Sequence, residues 1–326
     1  MTDPGHGGAR TLILALLTAV IYLVTIRAMD VNEKEPLWAV ALLFVLGLTT
    51  GAALPFVVES RILEATTFPA AFVKEFAKLL ALSIAFASLV AVGRQRGWLE
   101  VSGIVDGIIY GATLGLGFAT GISTVLVSAV PTSPALASQG MLSVLLPIAV
   151  SGLSQGLFGA LIGAGFGAAV ESGSPAGRLL FPLVGFLAAV AAHAAYLSLI
   201  RGNALGGTVA LFRTWVGLAM PLLFVLSVFL FALRREKRAI AEELAGEEGL
   251  GAEPLSFTAR RRRRLAALAK GNVRAYLARR KLHNRQVMLA LAKRRAKRQK
   301  DSERRSRMED EIKRLRSTVL RLNEQL

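Results

Sequence analysis

Apolar side chains come in long unbroken runs over the first two thirds of the chain and at helical spacing over the last third. The runs are 12–26, 37–58, 68–92, 103–130, 141–170, 179–200 and 206–233. Most exceed the roughly 20 residues a helix needs to cross about 30 Å of hydrocarbon. They predict seven membrane-spanning helices, separated by breakers such as Pro131, Pro134, Gly173 and Pro175. No small-x-small cleavage site follows the first run at Thr25, Ile26 and Arg27, so it reads as a retained span and not as a signal peptide. Past residue 233 the period changes. Leu268, Val273, Tyr276, Leu277, Val287, Met288 and Leu291 recur at roughly helical spacing, which predicts an amphipathic helix or a pair of them. Met308, Ile312, Leu315, Val319, Leu322 and Leu326 alternate four and three apart, a coiled-coil-like seam over 306–326. The fold class is all-α: a polytopic membrane helix bundle over 1–233 and a helical tail over 234–326.

Composition supports the membrane assignment. The 326 residues are 53% hydrophobic with a mean hydropathy of +0.52, high for a soluble protein. There is no cysteine, which excludes disulfides and thiolate metal sites. Charge then separates the two regions. Residues 234–326 hold 28 Lys+Arg against 12 Asp+Glu, a net +16 of the chain's +17, so the membrane part is nearly neutral. Arg234, Arg235, Lys237 and Arg238 directly follow the last apolar run and predict a cytoplasmic C-terminus in a multi-pass plasma-membrane protein. With seven spans the N-terminus is then outside. Basic residues in the connectors divide five to four and do not decide orientation. The acidic piece 242–253 reads as a linker.

A polybasic cytoplasmic segment is drawn to anionic lipid by about 1 kcal/mol per residue near the surface, so the 255–326 segment is expected to meet an anionic lipid surface. Nucleic acid attracts the same charges. However, Phe257 and Tyr276 are the tail's only aromatics, which leaves bases little to stack on and disfavours nucleic acid. The seam over 306–326 suits self-association or docking.

Chemistry inside the membrane part centres on the third run, where Lys74, Glu75 and Lys78 interrupt an apolar stretch. A charge at membrane depth is costly and faces a protein interior or a water-filled cavity, usually with a partner. Lysines can snorkel to the headgroups, but the short stem of Glu75 cannot, so a buried polar site is expected. On a helix Glu75 and Lys78 share a face three residues apart. The fourth run carries Gly107, Gly111 and Gly115, and the fifth Gln155, Gly159, Gly163 and Gly167, each every four residues. Such stripes let helices approach closely. The sixth run has a lone His193 with Tyr196 on the same face. The predicted topology puts Glu75 about two turns, roughly 10 Å, below the outer surface. His193, Ile122 and Gln155 fall in a similar layer, where a water-accessible pocket opening outward is expected. No HExxH and no cofactor-binding motif is present, and Glu75 with His193 are too few ligands for a catalytic zinc, so no metal or cofactor is expected.

These segments resemble a known family. Phe72-Val-Lys-Glu-Phe-Ala-Lys78, Asp106-Gly-Ile-Ile-Tyr-Gly-Ala with Leu-Gly-Phe-Ala-Thr120, Ser154-Gln-Gly-Leu-Phe-Gly159 with Gly163 and Gly167, and His193-Ala-Ala-Tyr196 are similar to the successive motifs of PrsW-type intramembrane proteases. The resemblance covers most of residues 68–200. It implies a bacterial protease scaffold of the kind that cleaves membrane-anchored anti-sigma factors. Such proteases are related to the CAAX prenyl proteases, in which glutamate and histidine activate water in the bilayer. On that pattern Glu75 and His193 are the catalytic candidates, with Lys78 and Gln155 supporting. The chain also departs from the pattern. Lys74 replaces one of two paired glutamates, and Ile122-Ser123 replaces Glu-Asn. Gln155 replaces a histidine, and Leu197 an acid or asparagine. The resemblance therefore implies a non-catalytic member, a pseudo-protease that binds or scaffolds membrane partners through its membrane domain and tail. The alternative is a divergent active glutamic-type endopeptidase cleaving single-span substrates.

Overall fold

Glycines every four residues set the geometry of the membrane part, because they decide which helices touch backbone to backbone. The computed structural model describes residues 4–29, 35–58, 67–96, 103–129, 141–172, 174–201, 207–245, 247, 257–298 and 302–324. The secondary structure among them is helical. The helices are α1 (Pro4–Met29), α2 (Leu37–Val57), α3 (Thr67–Arg96), α4 (Ile104–Ala129), α5 (Met141–Glu171), α6 (Pro175–Arg201) and α7 (Gly207–Ala245). The tail adds α8 (Phe257–Ala269), α9 (Val273–Arg298) and α10 (Ser302–Glu324). Each of the seven apolar runs thus folds as a helix. Five of them, α2, α4, α5, α6 and α7, are long and apolar enough to cross a membrane. The described apolar part of α1, Ile13–Ala28, is shorter, and α3 carries three charges within its run. The breakers Pro131 and Pro134 and the sequence-predicted ends at Val130 and Gly206 lie outside the described residues.

The chain divides into two compact units, one comprising α1 and Glu35–Leu230, the other Phe231–Leu326. In the first, α4 is the central strut, buried from Val105 to Ile122. One side of α4 meets α5: a Cβ on Gly107, Gly111 or Gly115 would strike the carbonyl of Gly163, Gly159 or Gln155 respectively. This pairing runs antiparallel. The opposite side meets α2, where Gly117 and Gly121 abut the carbonyls of Phe44 and Leu48, while Gly47 and Gly51 of α2 abut those of Leu114 and Phe118. That pairing is parallel. Close approach of this kind gains dispersion contacts that larger side chains would forbid, which is how helices associate in lipid without a hydrophobic drive. Gly165 and Gly185 bring α5 and α6 together in the same way.

Several polar groups in this unit find partners within it. The hydroxyls of Thr113 and Thr120 donate to the carbonyls four residues back, at 2.7 and 2.9 Å. At one end of the bundle the Tyr110 hydroxyl donates to the Glu35 carboxylate, and Arg27 Nη1 donates to the Glu35 carbonyl at 2.7 Å. Glu171 accepts from the Ile104 N–H at the start of α4 (3.3 Å), one of the backbone donors a helix N-terminus leaves open. Large apolar side chains point outward, among them Leu17, Ile21 and Val24 on α1 and Leu179, Leu183 and Leu187 on α6. A bilayer is the solvent that suits such a surface.

The second unit has its own core. Ile240 and Leu244 from the end of α7 pack with Leu282, Val287, Leu289 and Leu291 of α9 and Leu315 and Val319 of α10. Ile312 and Leu322 cover the same cluster. The seam predicted over 306–326 is therefore engaged within the chain as a docking helix, and Leu326 lies outside the described residues. The piece expected to be an acidic linker differs. Its first residues extend α7, and Glu247 is clasped by Arg316, at 2.6 and 2.8 Å, and by Lys293 at 2.7 Å. Those hydrogen bonds, led by the Arg316 guanidinium, hold the Glu247 carboxyl down at about 2. Glu243 pairs with Lys297 at 2.8 Å and its carbonyl accepts from Lys293 at 2.7 Å. The cause is mutual: a net +16 tail offers every nearby carboxylate a cation. Residues 248–253 lie outside the described set.

Candidate functional site

Helix α3 is amphipathic in an unusual sense, with aromatics on one side and charges on the other. Phe68, Phe72 and Phe76 recur every four residues and stack along the helix, with centroids 6.3 and 5.9 Å apart. Each is partly exposed, and Phe186 of α6 packs edge-on against Phe72 and Phe76. Glu75 and Lys78 lie three apart on the side turned to the bundle, and both are 0% exposed. Lys74 is half-buried.

Four residues from three helices meet here. Glu75 Oε1 lies 2.6 Å from Lys78 Nζ and 2.6 Å from His193 Nδ1. Lys78 Nζ also donates to Gln155 Oε1 at 2.8 Å. His193 is 1% exposed and Gln155 7%. An ionised carboxylate only accepts, so the short contact requires a proton on His193 Nδ1 and leaves Nε2 as the acceptor. Among the described residues, Glu75 Oε2 is buried without a hydrogen-bond partner.

Two phenylalanines complete the enclosure. Lys78 Nζ lies 5.3 Å from the Phe118 ring centroid and 5.6 Å from that of Phe158, within cation–π range of both. Phe158 also stacks on the His193 imidazole, with centroids 4.5 Å apart and planes 17° off parallel, and is tilted against Tyr196 at 6.1 Å. Both rings occur in the sequence motifs, Phe118 in Leu-Gly-Phe-Ala-Thr120 and Phe158 in Ser154-Gln-Gly-Leu-Phe-Gly159, where nothing beside them marks a role. Their role shows only once a lysine is seen between them.

The site layer thus differs from the expected open pocket. Glu75, Lys78, Gln155 and His193 touch one another, since the lysine stem and the two rings fill the space between α3, α4, α5 and α6. Ile122, expected in this layer, belongs to an apolar cluster with Leu54, Phe118, Val73 and Ala77. Its neighbour Ser123 instead lines a small cavity between α1, α4 and α5, with Thr18, Tyr22 and Thr120. Leu197 is half-buried. The arrangement is a charge-compensated cluster: one carboxylate, one ammonium, and an imidazole and an amide that link them to neighbouring helices.

Comparison with known proteins adds one match. A family model described as PrsW family intramembrane metalloprotease matches residues 10–233. No curated protein and no solved structure matches the chain. The metal implied by that description was tested against the donor set. A catalytic zinc takes three protein ligands and keeps one open position. Among the described residues no group of three or more His, Cys, Asp or Glu is placed to hold a metal. The Lys78 ammonium moreover sits on the same Glu75 oxygen that bonds His193. The residues present do not fit a divalent ion.

Proposed function

Because the chain belongs to the PrsW family of intramembrane proteases, we propose that it is a non-catalytic member that binds membrane-spanning helices and scaffolds membrane partners. The observation that carries this is the double engagement of Glu75 Oε1, 2.6 Å from both Lys78 and His193 in a cluster at most 1% exposed at those three residues. A general base needs its lone pair directed at water, and acyl-transfer chemistry needs a separate donor for the oxyanion. Here the imidazole that would serve as donor is bonded to the base itself, and the lysine neutralises it. The partly exposed ladder of Phe68, Phe72 and Phe76 beside this cluster offers an apolar, aromatic surface to a single-span helix. In this reading the protein is a multi-pass plasma-membrane protein of bacteria. Its C-terminus is cytoplasmic, as the basic cluster following the last apolar run favours.

A second reading has one observation in its favour. Glu75 Oε2 is buried without a hydrogen-bond partner among the described residues, an oxygen that could accept a proton from water. On that basis the chain is an active glutamic-type endopeptidase using Glu75 and His193. Purified protein in lipid, incubated with single-span peptides including anti-sigma-factor-like segments, separates the two. The proposal expects the peptides to associate, by resonance energy transfer between labelled partners, and to remain intact. Cleavage by the unmodified protein that disappears in both Glu75→Gln and His193→Ala, with folding unchanged, overturns it.

A further inference from the structure

The tail keeps part of its basic surface for something outside the second unit. Glu243 and Glu247 consume Lys293, Lys297 and Arg316, and the seam of α10 is buried against α7 and α9. What remains is the corner formed by α8 and the start of α9. Leu265 and Leu268 lie three apart on α8, and Val273 and Leu277 four apart on α9; all four are 45–54% exposed. Arg262, Lys270, Arg274 and Lys281 are exposed around them. No acidic residue occurs between Glu253 and Asp301, a stretch holding 17 Lys+Arg. The corner itself is well defined. Gly271 takes φ +71, the left-handed conformation that ends α8, and the Asn272 side chain accepts from the Ala275 N–H at 2.9 Å to cap α9.

We infer that this α8–α9 corner is a docking surface for an anionic lipid bilayer, its four aliphatic side chains entering the headgroup boundary and its arginines and lysines meeting lipid phosphates. Charge complementarity selects the occupant, because a surface of uninterrupted positive charge repels most basic or neutral partners and attracts a negative one. The aliphatic side chains then select lipid over nucleic acid: Leu265, Leu268, Val273 and Leu277 gain by leaving water for the acyl boundary. Nucleic acid would instead reward aromatic side chains for stacking, and Tyr276, the one aromatic in the α8–α9 turn region, is half-buried. A basic amphipathic surface of this composition binds in proportion to the anionic fraction of the bilayer and weakens with salt.

The absence of cysteine allows a direct test on the full chain. Leu268→Cys is labelled with an environment-sensitive fluorophore, and the protein is placed in nanodiscs doped with nitroxide-labelled lipid. The discs are either phosphatidylcholine alone or a mixture with phosphatidylglycerol; Ser317→Cys on the exposed side of α10 is the reference, and Leu265→Cys repeats the measurement at a second site. Quenching at 265 and 268 is expected in anionic discs only, falling as salt is raised. Each basic residue contributes roughly fivefold to surface partition, so Arg262→Ser with Lys270→Ser lowers the docked-to-free ratio by roughly 25-fold. Equal quenching in both lipid types, or no more quenching than at 317, overturns the inference. So does a short RNA oligonucleotide that shields the label in anionic discs more strongly than the lipid quenches it.

Discussion

Glu75→Gln tests what the buried cluster is for. The substitution keeps the shape of the side chain and removes its charge. The Lys78 ammonium is then stranded at 0% exposure, with Gln155 Oε1 as acceptor and the rings of Phe118 and Phe158 as weak electrostatic partners. Breaking a buried ion pair from one side costs about 3–5 kcal/mol. Because the amide and the two rings remain in place, the lower end applies, about 3 kcal/mol. Lys78→Met alone is expected to cost a similar amount, since Glu75 keeps only His193. The double variant should be less destabilised than the sum of the two, because swapping a buried pair for groups of similar volume is often nearly neutral. The coupling energy should exceed about 1.5 kcal/mol. Reversible unfolding by titration with denaturing detergent in mixed micelles, followed by tryptophan fluorescence, gives all four corners of the cycle. The reasoning fails if Glu75→Gln unfolds within about 0.5 kcal/mol of the unmodified protein, the threshold for an ordinary surface substitution, or if the two changes are additive. Either result would mean that the pair carries no stability and that Glu75 is retained for another purpose.

Three further expectations follow from other parts of the molecule. Glu247, held at about 2 against an ordinary 4.5, has a depressed folded-state value, so its contribution is complete above about pH 4.5 and is lost as pH falls towards 2. With solvent screening around half-exposed Arg316 it amounts to roughly 1–2 kcal/mol, and Glu247→Gln should remove that acid dependence from hydrogen exchange of the α10 amides. Gly163→Val would drive a side chain into the Gly107 carbonyl; since backbone cannot move aside, the bundle should lose about 3 kcal/mol or more, read in the same detergent titration, and an unchanged midpoint would refute the α4–α5 contact. Dialysis against a chelator should leave the unfolding midpoint unmoved, and added cobalt should give no visible ligand-field band; a chelator-induced drop would show that the chain holds a metal through residues other than Glu75 and His193.

Much of this fold could be read from the chain. The lengths of the apolar runs located α1 to α7, and the spacing of Gly107, Gly111 and Gly115 marked a close-packing face. Periodicity reports which side of a helix is special, not what lies across from it. Thus the stripe of Gly107, Gly111 and Gly115 says nothing of Gly117 and Gly121, which lie on the opposite side of α4 against α2. The same limit applied to α10, whose a/d seam was legible while its occupants, α7 and α9, were not. Glu75, Lys78, Gln155 and His193 were recognisable as out of place in an apolar setting. Their closure into one contact cluster depended on the lysine stem lying between Phe118 and Phe158, a relation between three helices that no local pattern encodes. The stretch around Glu247 reads as linker because local composition does not reveal a cation 69 residues away.

The glycine contacts also sort the helices of the membrane unit by the kind of packing that holds each one. Helix α4 meets α2 on one side and α5 on the other through glycines whose missing side chains let the backbones touch, so a sideways shift there would set backbone against backbone. Helix α6 is pinned to α5 at Gly165 and Gly185, two turns from His193, while none of the described close glycine contacts involves α3. Gln155, Phe118 and Phe158 therefore belong to helices joined by backbone contact, whereas Glu75 and Lys78 belong to one held by side-chain packing such as that of Val73 and Ala77. On the proposed reading, a guest helix would therefore meet least resistance at α3, whose contacts are side chains that can change rotamer. Parting α3 from α5 would break the hydrogen bond from Lys78 to Gln155.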